Sequence, residues 1–282
     1  MKLLMVGDFH GEFPKKFEEI IKKEKIDLLV SNGDFFPFHY RKLYFKQCFA
    51  KETMLWEVIG KNKYKKLILK DLKDGENAIS KINDLLIPAV TVYGNIDYTR
   101  TVDFMDYKIN KAHYWKWDEQ DFFHKIIKKY KNIHEITYSY FAFGGYVFIG
   151  AYGGMVPGKV RSKNFIKHKK ILEKLFNKFR KENKNRKVIF VSHNVPYNTK
   201  LDKIGMKAHK SVRGKHYGSK IVRKIIDKYQ PVLHFGGHIH ESKGTQKIGK
   251  TLCINPGAAH DGNGVIVEIT NKKIKFRLIR SF

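Results

Sequence analysis

Short apolar runs alternate with amphipathic stretches along most of this chain, and the two periodicities fall in a regular order. Residues 2–7 form a largely apolar run and predict a buried strand. Residues 14–25 predict a helix, because Pro14 suits a first turn and Phe17, Ile20 and Ile21 recur at helical spacing. Residues 26–30 read as a second strand, followed by Ser31-Asn32-Gly33-Asp34. Strand, loop, helix, strand, loop is the opening of a parallel βαβ unit. The aromatic and basic stretch 35–73 is expected to hold a helix around 46–59 and another short element around Leu67. Residues 76–86 read as a helix with Ala78, Ile79, Ile82 and Leu85 on one face, ended by Pro88, and 89–93 as a strand leading into Gly94-Asn95. A loop from Asp97 gives way to the stripe Phe122, Phe123, Ile126, Ile127 and Tyr130, which reads as a core-facing helix.

Further on, residues 136–151 predict a hairpin turning at Gly144-Gly145. A basic amphipathic helix is expected over 165–181 and a strand over 188–191, ending at Ser192-His193. A basic loop over 194–217 follows, then a helix over 220–229 with Ser219 as N-cap. Residues 232–235 form a strand ending at Gly236-Gly237-His238-Ile239-His240. The remainder is strand: 252–254, then 265–270 and 274–279 flanking Asn271-Lys272-Lys273 as a hairpin. Neither a repeat nor a flexible linker interrupts the pattern. One α/β domain over 1–282 is expected, with basic and aromatic insertions around 35–73, 100–135 and 158–187.

Composition changes this picture in two respects. Cys48 and Cys253 are the only cysteines, and Cys253 lies in an apolar run, so a buried hydrophobe is expected there rather than a disulfide or a nucleophile. The net charge of +29 is a field that attracts polyanions, which makes nucleic acid a candidate partner, although a Lys-rich surface also serves solubility alone. No run approaches the roughly 18 apolar residues of a membrane span. The first apolar stretch is too short for a signal peptide, so a soluble, cytoplasmic protein with no membrane partner is expected.

Five predicted strands lead into residues of the types that can bind metals. Asp8 and His10 stand in Gly-Asp-Phe-His, Asp34 in Asn-Gly-Asp, and Asn95 in Gly-Asn-Ile-Asp. His193 stands in Val-Ser-His-Asn, and His238 with His240 in Gly-Gly-His-Ile-His. Open α/β sheets gather ligands at the carboxyl ends of their strands. Residues two apart on an extended segment point the same way, so Asp8 with His10, and His238 with His240, can each grip a cation from one side. A carboxylate such as Asp34 can bridge two ions, and an amide such as Asn95 can supply an oxygen while facing a substrate. Singly, each motif has an ordinary explanation as a turn or a satisfied polar residue. Five in a fixed order, all at strand ends, point to one site with two divalent ions. Mixed imidazole and carboxylate ligation suits Mn, Fe, Co, Ni or Zn, with Mn favoured, whereas Mg prefers oxygen alone.

The series Gly-Asp-x-His, Gly-Asp, Gly-Asn-x-Asp, Ser-His and Gly-His-x-His resembles the calcineurin-like metallophosphoesterases over nearly the whole chain, from Asp8 to Asn255-Pro256-Gly257. The segments 197–202, 216–219 and 237–241 resemble its Icc-related branch. The resemblance implies a four-layer α/β sandwich, two facing mixed β-sheets flanked by helices. It implies that Asp8, His10, Asp34 and His240 hold one ion, and that Asp34 as bridge, Asn95, His193 and His238 hold the other. Many members carry a His in the Gly-Asn-x-Asp motif that touches the phosphate and can protonate the leaving oxygen; here that position is Ile96. Such proton transfer is commonly worth about two to four orders of magnitude.

The expected chemistry is metal-assisted phosphoester hydrolysis, in which two ions activate a water for in-line attack and Asn95 contacts the phosphate. His209 or His216, on the basic loop, are candidate proton donors in place of Ile96, and Arg213 a candidate phosphate clamp. Asp97 either orients a nearby His or loop, or caps a turn. Phosphodiesters are the favoured substrates on charge. The alternatives are a phosphomonoesterase, or a non-catalytic nucleic-acid-binding or scaffold protein on the same fold.

Overall fold

The computed structural model describes residues 1–48, 51, 53–99, 114–153, 162–206, 208, 210–270 and 273–280. Its strands are β1 (Lys2–Val6), β2 (Leu28–Ser31), β3 (Ala89–Thr91), β4 (Ile133–Glu135), β5 (Tyr140–Phe143), β6 (Tyr146–Ala151), β7 (Val188–Asn194), β8 (Leu233–Gly237), β9 (Gly244–Ile248), β10 (Thr251–Asn255), β11 (Gly264–Ile269) and β12 (Ile274–Ile279). Its helices are α1 (Lys15–Glu24), α2 (Arg41–Gln47), α3 (Leu55–Ile59), α4 (Lys61–Asn83), α5 (Phe122–Ile127), α6 (Lys163–Lys178), α7 (Arg180–Lys184) and α8 (Lys220–Tyr229).

The strands form two six-stranded sheets, ordered β12-β11-β1-β2-β3-β4 and β5-β6-β7-β8-β10-β9. Each has four adjacent parallel strands, β1 to β4 in one and β6, β7, β8 and β10 in the other. Antiparallel strands complete both. Both are therefore mixed, as expected. Alternation along β1 explains the layering: Leu3 and Met5 enter the core between the sheets, whereas Leu4 and Val6 face outward under helices. The inner core joins Leu3, Met5, Val30 and Val90 to Ile189, Val191, Phe235 and Ile254. Phe17, Ile68, Ile79 and Phe123 cover the first sheet, while Leu172, Phe176, Val222 and Ile226 cover the second. The result is four layers, and strands buried on both faces read as unbroken apolar runs.

Register brings the site together. Val6 pairs with Ser31, and Ser31 with Thr91, so β1, β2 and β3 end side by side. On the second sheet Val191 pairs with Phe235 and Asn194 with Gly237, which leaves an extra residue in β7 around Ser192-His193. Such a bulge re-aims a side chain.

Several elements differ from the sequence expectation. The helix expected over 46–59 is replaced by two short ones, α2 and α3, with Met54 extended at the start of the second. The short element at Leu67 and the helix over 76–86 are one helix, α4, running through Gly75. The strands β4 and β9 have no counterpart in the expected pattern; each is short and only partly apolar. The hairpin expected over 136–151 is confined to β5 and β6, and the helix over 165–181 breaks at Phe179 between α6 and α7. Ser219 caps α8 as expected, its Oγ accepting from Val222 N. No helix among the described residues is long and apolar enough to cross a membrane.

Candidate metal centre

The loops after β1, β2 and β3 carry Asp8, His10, Asp34 and Asn95; β7 carries His193; the turn after β8 carries His238 and His240. His193 lies inside β7 rather than beyond its end. Two groups of ligand atoms result, each within 4.8 Å of one another: Asp8, His10 and His240, and Asp34, His193 and His238. Each group draws on both sheets. Asn95 joins the second, its Oδ1 lying 2.7 Å from His193 Nε2. The backbone is unusual here: Asp8, His10, Asp34 and His238 have φ of 56°, 48°, 56° and 70°. Left-handed conformations in non-glycine residues cost energy and concentrate where function requires a special direction.

Whether cations fit can be judged from the protons. His193 Nδ1 lies 2.9 Å from the Asn32 carbonyl oxygen, which only accepts, so this nitrogen carries the hydrogen and Nε2 presents a lone pair. That lone pair faces Asn95 Oδ1, with His238 Nδ1 at 3.2 Å and Asp34 Oδ2 at 3.7 Å. With the Asn95 amide in this orientation, two acceptors face each other. In the other group, Asp8 Oδ1 is buried and makes no hydrogen bond, although His240 Nε2 is 3.1 Å away. Converging acceptors and an orphaned carboxylate oxygen are the donor set that divalent transition metals take, so the residues fit such ions.

Charge agrees. Burial lowers the imidazoles of His193, His10 and His238, the last two to about 4 and about 3, which keeps them in the neutral form that binds metal. Burial and the nearby carboxylates of Asp97 and Asp8 raise Asp34. For Asp8 burial acts upward, but His240, His193 and His10 outweigh it and hold the group well below the usual carboxylate range. A bound cation would relieve the repulsion among these carboxylates.

Asp97 is fully buried and clamps a loop rather than a histidine. Its carboxylate accepts from Gly94 N at 2.7 Å, Asp34 N at 2.8 Å and Phe35 N at 2.6 Å, tying the β3 loop to the β2 loop. Ile96 N donates to Asp34 Oδ1 at 3.1 Å. The remaining candidates lie on the loop after β7. His216 Nδ1 is bound to Asp202 Oδ1 at 2.6 Å, Arg213 is exposed, and His209 lies outside the described residues. The structure thus gathers the seven ligand candidates and Asp97, while His216 and Arg213 have no contact with them among the described residues.

Sequence reasoning missed three neighbours. Asn32 donates from Nδ2 to Asp8 Oδ2 at 2.9 Å. The His260 ring stands 4.8 Å from that of His10, and its Nδ1 lies 3.2 Å from the Asp8 carbonyl oxygen. The Tyr152 ring lies parallel to His193 at 6.3 Å. Asn32 stands beside a motif and His260 soon after Asn255-Pro256-Gly257, but nothing in residue type or spacing separates either from turn residues.

Comparisons with known proteins bear on the family and the fold. A protein of Methanocaldococcus jannaschii, itself uncharacterized, is 29% identical over 262 residues, 91% of this chain and 88% of that protein. The crystal structure of TT1561 of Thermus thermophilus superposes with a TM-score of 0.57 at 14% identity, covering 98% of this chain and 97% of that one. A dimetal phosphatase from Danio rerio gives 0.57 at 9% identity, covering 100% and 96%. At these identities the two structures bear on the fold alone. The sequence pattern of the metallophosphoesterases of the calcineurin superfamily matches residues 1–279. The chain belongs to that family, whose fold implies a dinuclear divalent-metal site.

Proposed function

We propose that this chain hydrolyses phosphodiesters, using two divalent ions held by Asp8, His10, Asp34, Asn95, His193, His238 and His240, with manganese the first metal to test. The observation that carries the reading is the convergence of Asp and His side chains from both sheets into two groups whose ligand atoms lie within 4.8 Å of one another, with Asn95 Oδ1 beside the second. When bound, the ions supply Lewis acidity and an activated water at neutral pH.

The protein's own groups prepare the site. Asp97 fixes the loops that present Asp34 and Asn95. The Asn32 carbonyl holds His193 in the tautomer that leaves Nε2 free to ligate. The Asn95 amide hydrogens can meet an equatorial phosphate oxygen while its Oδ1 faces the ligands. Ile96 cannot move a proton. We assign that role to His216, whose Nδ1 is engaged by Asp202 so that Nε2 is the nitrogen left to serve, and a phosphate-clamping role to Arg213 on the same loop. Diesters are favoured because a +29 chain draws polyanionic esters such as nucleotides or nucleic acid. We also read residues 1–282 as one domain, because the inner core is shared by both sheets, and as a member of the Icc-related branch on segments 197–202 and 216–219.

The test is a hydrolysis panel. Protein loaded in turn with Mn, Ni, Co, Fe and Zn is offered aryl phosphodiesters, aryl phosphomonoesters, cyclic nucleotides and DNA. Turnover of diesters above monoesters is expected. His238→Ala should lose more than the roughly 10- to 100-fold typical of residues that only support a ligand. Activity that survives this change would place the site elsewhere. Unchanged leaving-group dependence in His216→Ala would remove His216 from the mechanism.

A further inference from the structure

We propose that Asn32 is a positioning residue that makes Asp8 a one-oxygen ligand and so sets the affinity of the Asp8–His10–His240 ion separately from that of its neighbour. The inference rests on the two-ion reading above.

The two oxygens of Asp8 live in different surroundings. Oδ2 accepts from Asn32 Nδ2 at 2.9 Å and from His238 N at 3.2 Å, which fixes the plane of the carboxylate. Oδ1 receives no hydrogen bond and points to the side where His240 Nε2 stands, 3.1 Å away. Occupying one oxygen with donors directs the other at the ion.

The Asn32 side chain is not explained by packing alone. It is fully buried, and its own Oδ1 has no hydrogen-bond partner among the described residues. A buried acceptor left unpaired is a cost to folding, and such atoms call for a reason. Here the reason is at the other end of the same amide: only Nδ2 can donate to Asp8, and turning the group over would set an oxygen against the carboxylate. The surroundings keep room for that arrangement. A Cβ at Gly7 would strike Asn32 Oδ1, and one at Gly237 would strike both Asn32 Nδ2 and Asp8 Oδ2.

The second ion site uses Asn32 differently. His193 Nδ1 is held by the Asn32 main-chain carbonyl, not by its side chain. Substitution at position 32 therefore removes the support of one site and spares that of the other.

The experiment is manganese binding by equilibrium dialysis on the full chain and on Asn32→Leu and Asn32→Ala, with electron paramagnetic resonance to distinguish a coupled ion pair from a single ion. Wild type is expected to bind two ions as a coupled pair. In both variants one ion should bind about ten- to a hundredfold more weakly and the other at wild-type affinity. The metal-free melting temperature of both variants should fall modestly, because each loses a donor to the buried Asp8 carboxylate while the fold is kept. Two ions at wild-type affinity in both variants, or equal weakening of both ions, would overturn the proposal while leaving the two-ion reading intact. A wild-type chain that binds no ion would overturn both. Asn32→Ala keeps the test alive if the larger leucine is not accommodated.

Discussion

At the scale of single residues, the centre is defined by side chains whose ordinary preferences are overridden. Asp97 is the clearest. Burial raises it to about 6 despite several backbone donors, so its carboxylate is costly to keep charged and is kept where it joins two loops. Asp97→Asn would turn an amide group toward the three N–H donors. We expect it to lower stability by about 1.5–3 kcal/mol, the range for hydrogen bonds to charged groups, read from the urea midpoint. His234 gives a pH prediction. It is fully buried, bonded to Ser192 Oγ at 2.8 Å, and lowered by burial from 6.5 to about 3. Its folded value lies below its unfolded one, so the unfolded chain binds the extra proton. The stability this neutral form contributes is present above about pH 6.5 and is lost as pH falls toward 3, by up to roughly 1.4 kcal/mol for each pH unit. Metal-free protein should therefore melt at a lower temperature at pH 4 than at pH 7, and His234→Leu should flatten that slope. The seven ligand candidates were legible in the sequence because metal binding restricts residue type, and Asp97 because it completes the Gly-Asn-x-Asp motif. Asn32 and His260 were not, because a supporting hydrogen bond can come from many side chains.

At the scale of elements, α4 shows where local propensity misleads. The helix runs through Gly75, and in an exposed helix replacing a glycine by alanine would stabilise by roughly 0.5–1 kcal/mol. Here the glycine is buried and a Cβ would enter the Phe36 ring, which follows the Asp34 loop. Gly75→Ala is expected to reverse that sign and destabilise by about 1–3 kcal/mol, the usual range for overpacking. Adding Phe36→Leu should recover part of the loss, and calorimetry on the double variant checks this. The parallel strands β1, β2, β3, β7 and β8 were foreseen because burial on both faces gives them continuous apolar runs. β4 and β9 were missed because they are short and partly buried, and draw their identity from a neighbouring strand.

At the scale of the whole molecule, the ligand groups join two sheets that otherwise meet through an apolar core. Asp8, His10, Asp34 and Asn95 come from the first, His193, His238 and His240 from the second. Ions bound there should clasp the sandwich as well as serve chemistry. Chelation should lower the melting temperature, and manganese at a hundred times its Kd should restore about 2.7 kcal/mol per ion. A melting temperature indifferent to chelator and to added manganese would contradict the site.

Apolar periodicity and a chemically narrow set of Asp, His and Asn residues were enough to determine the alternating α/β pattern and the strand ends that matter, and the motifs those residues form carried the family resemblance. Tertiary structure alone brought Asp8 beside His240, far apart along the chain, because that meeting depends on the register of two sheets. It also decided the left-handed backbone at four ligands, the bulge that aims His193 and the hydrogen bonds around Asp8. Burial and close approach set these, and neither is a property of a residue or of its immediate neighbours.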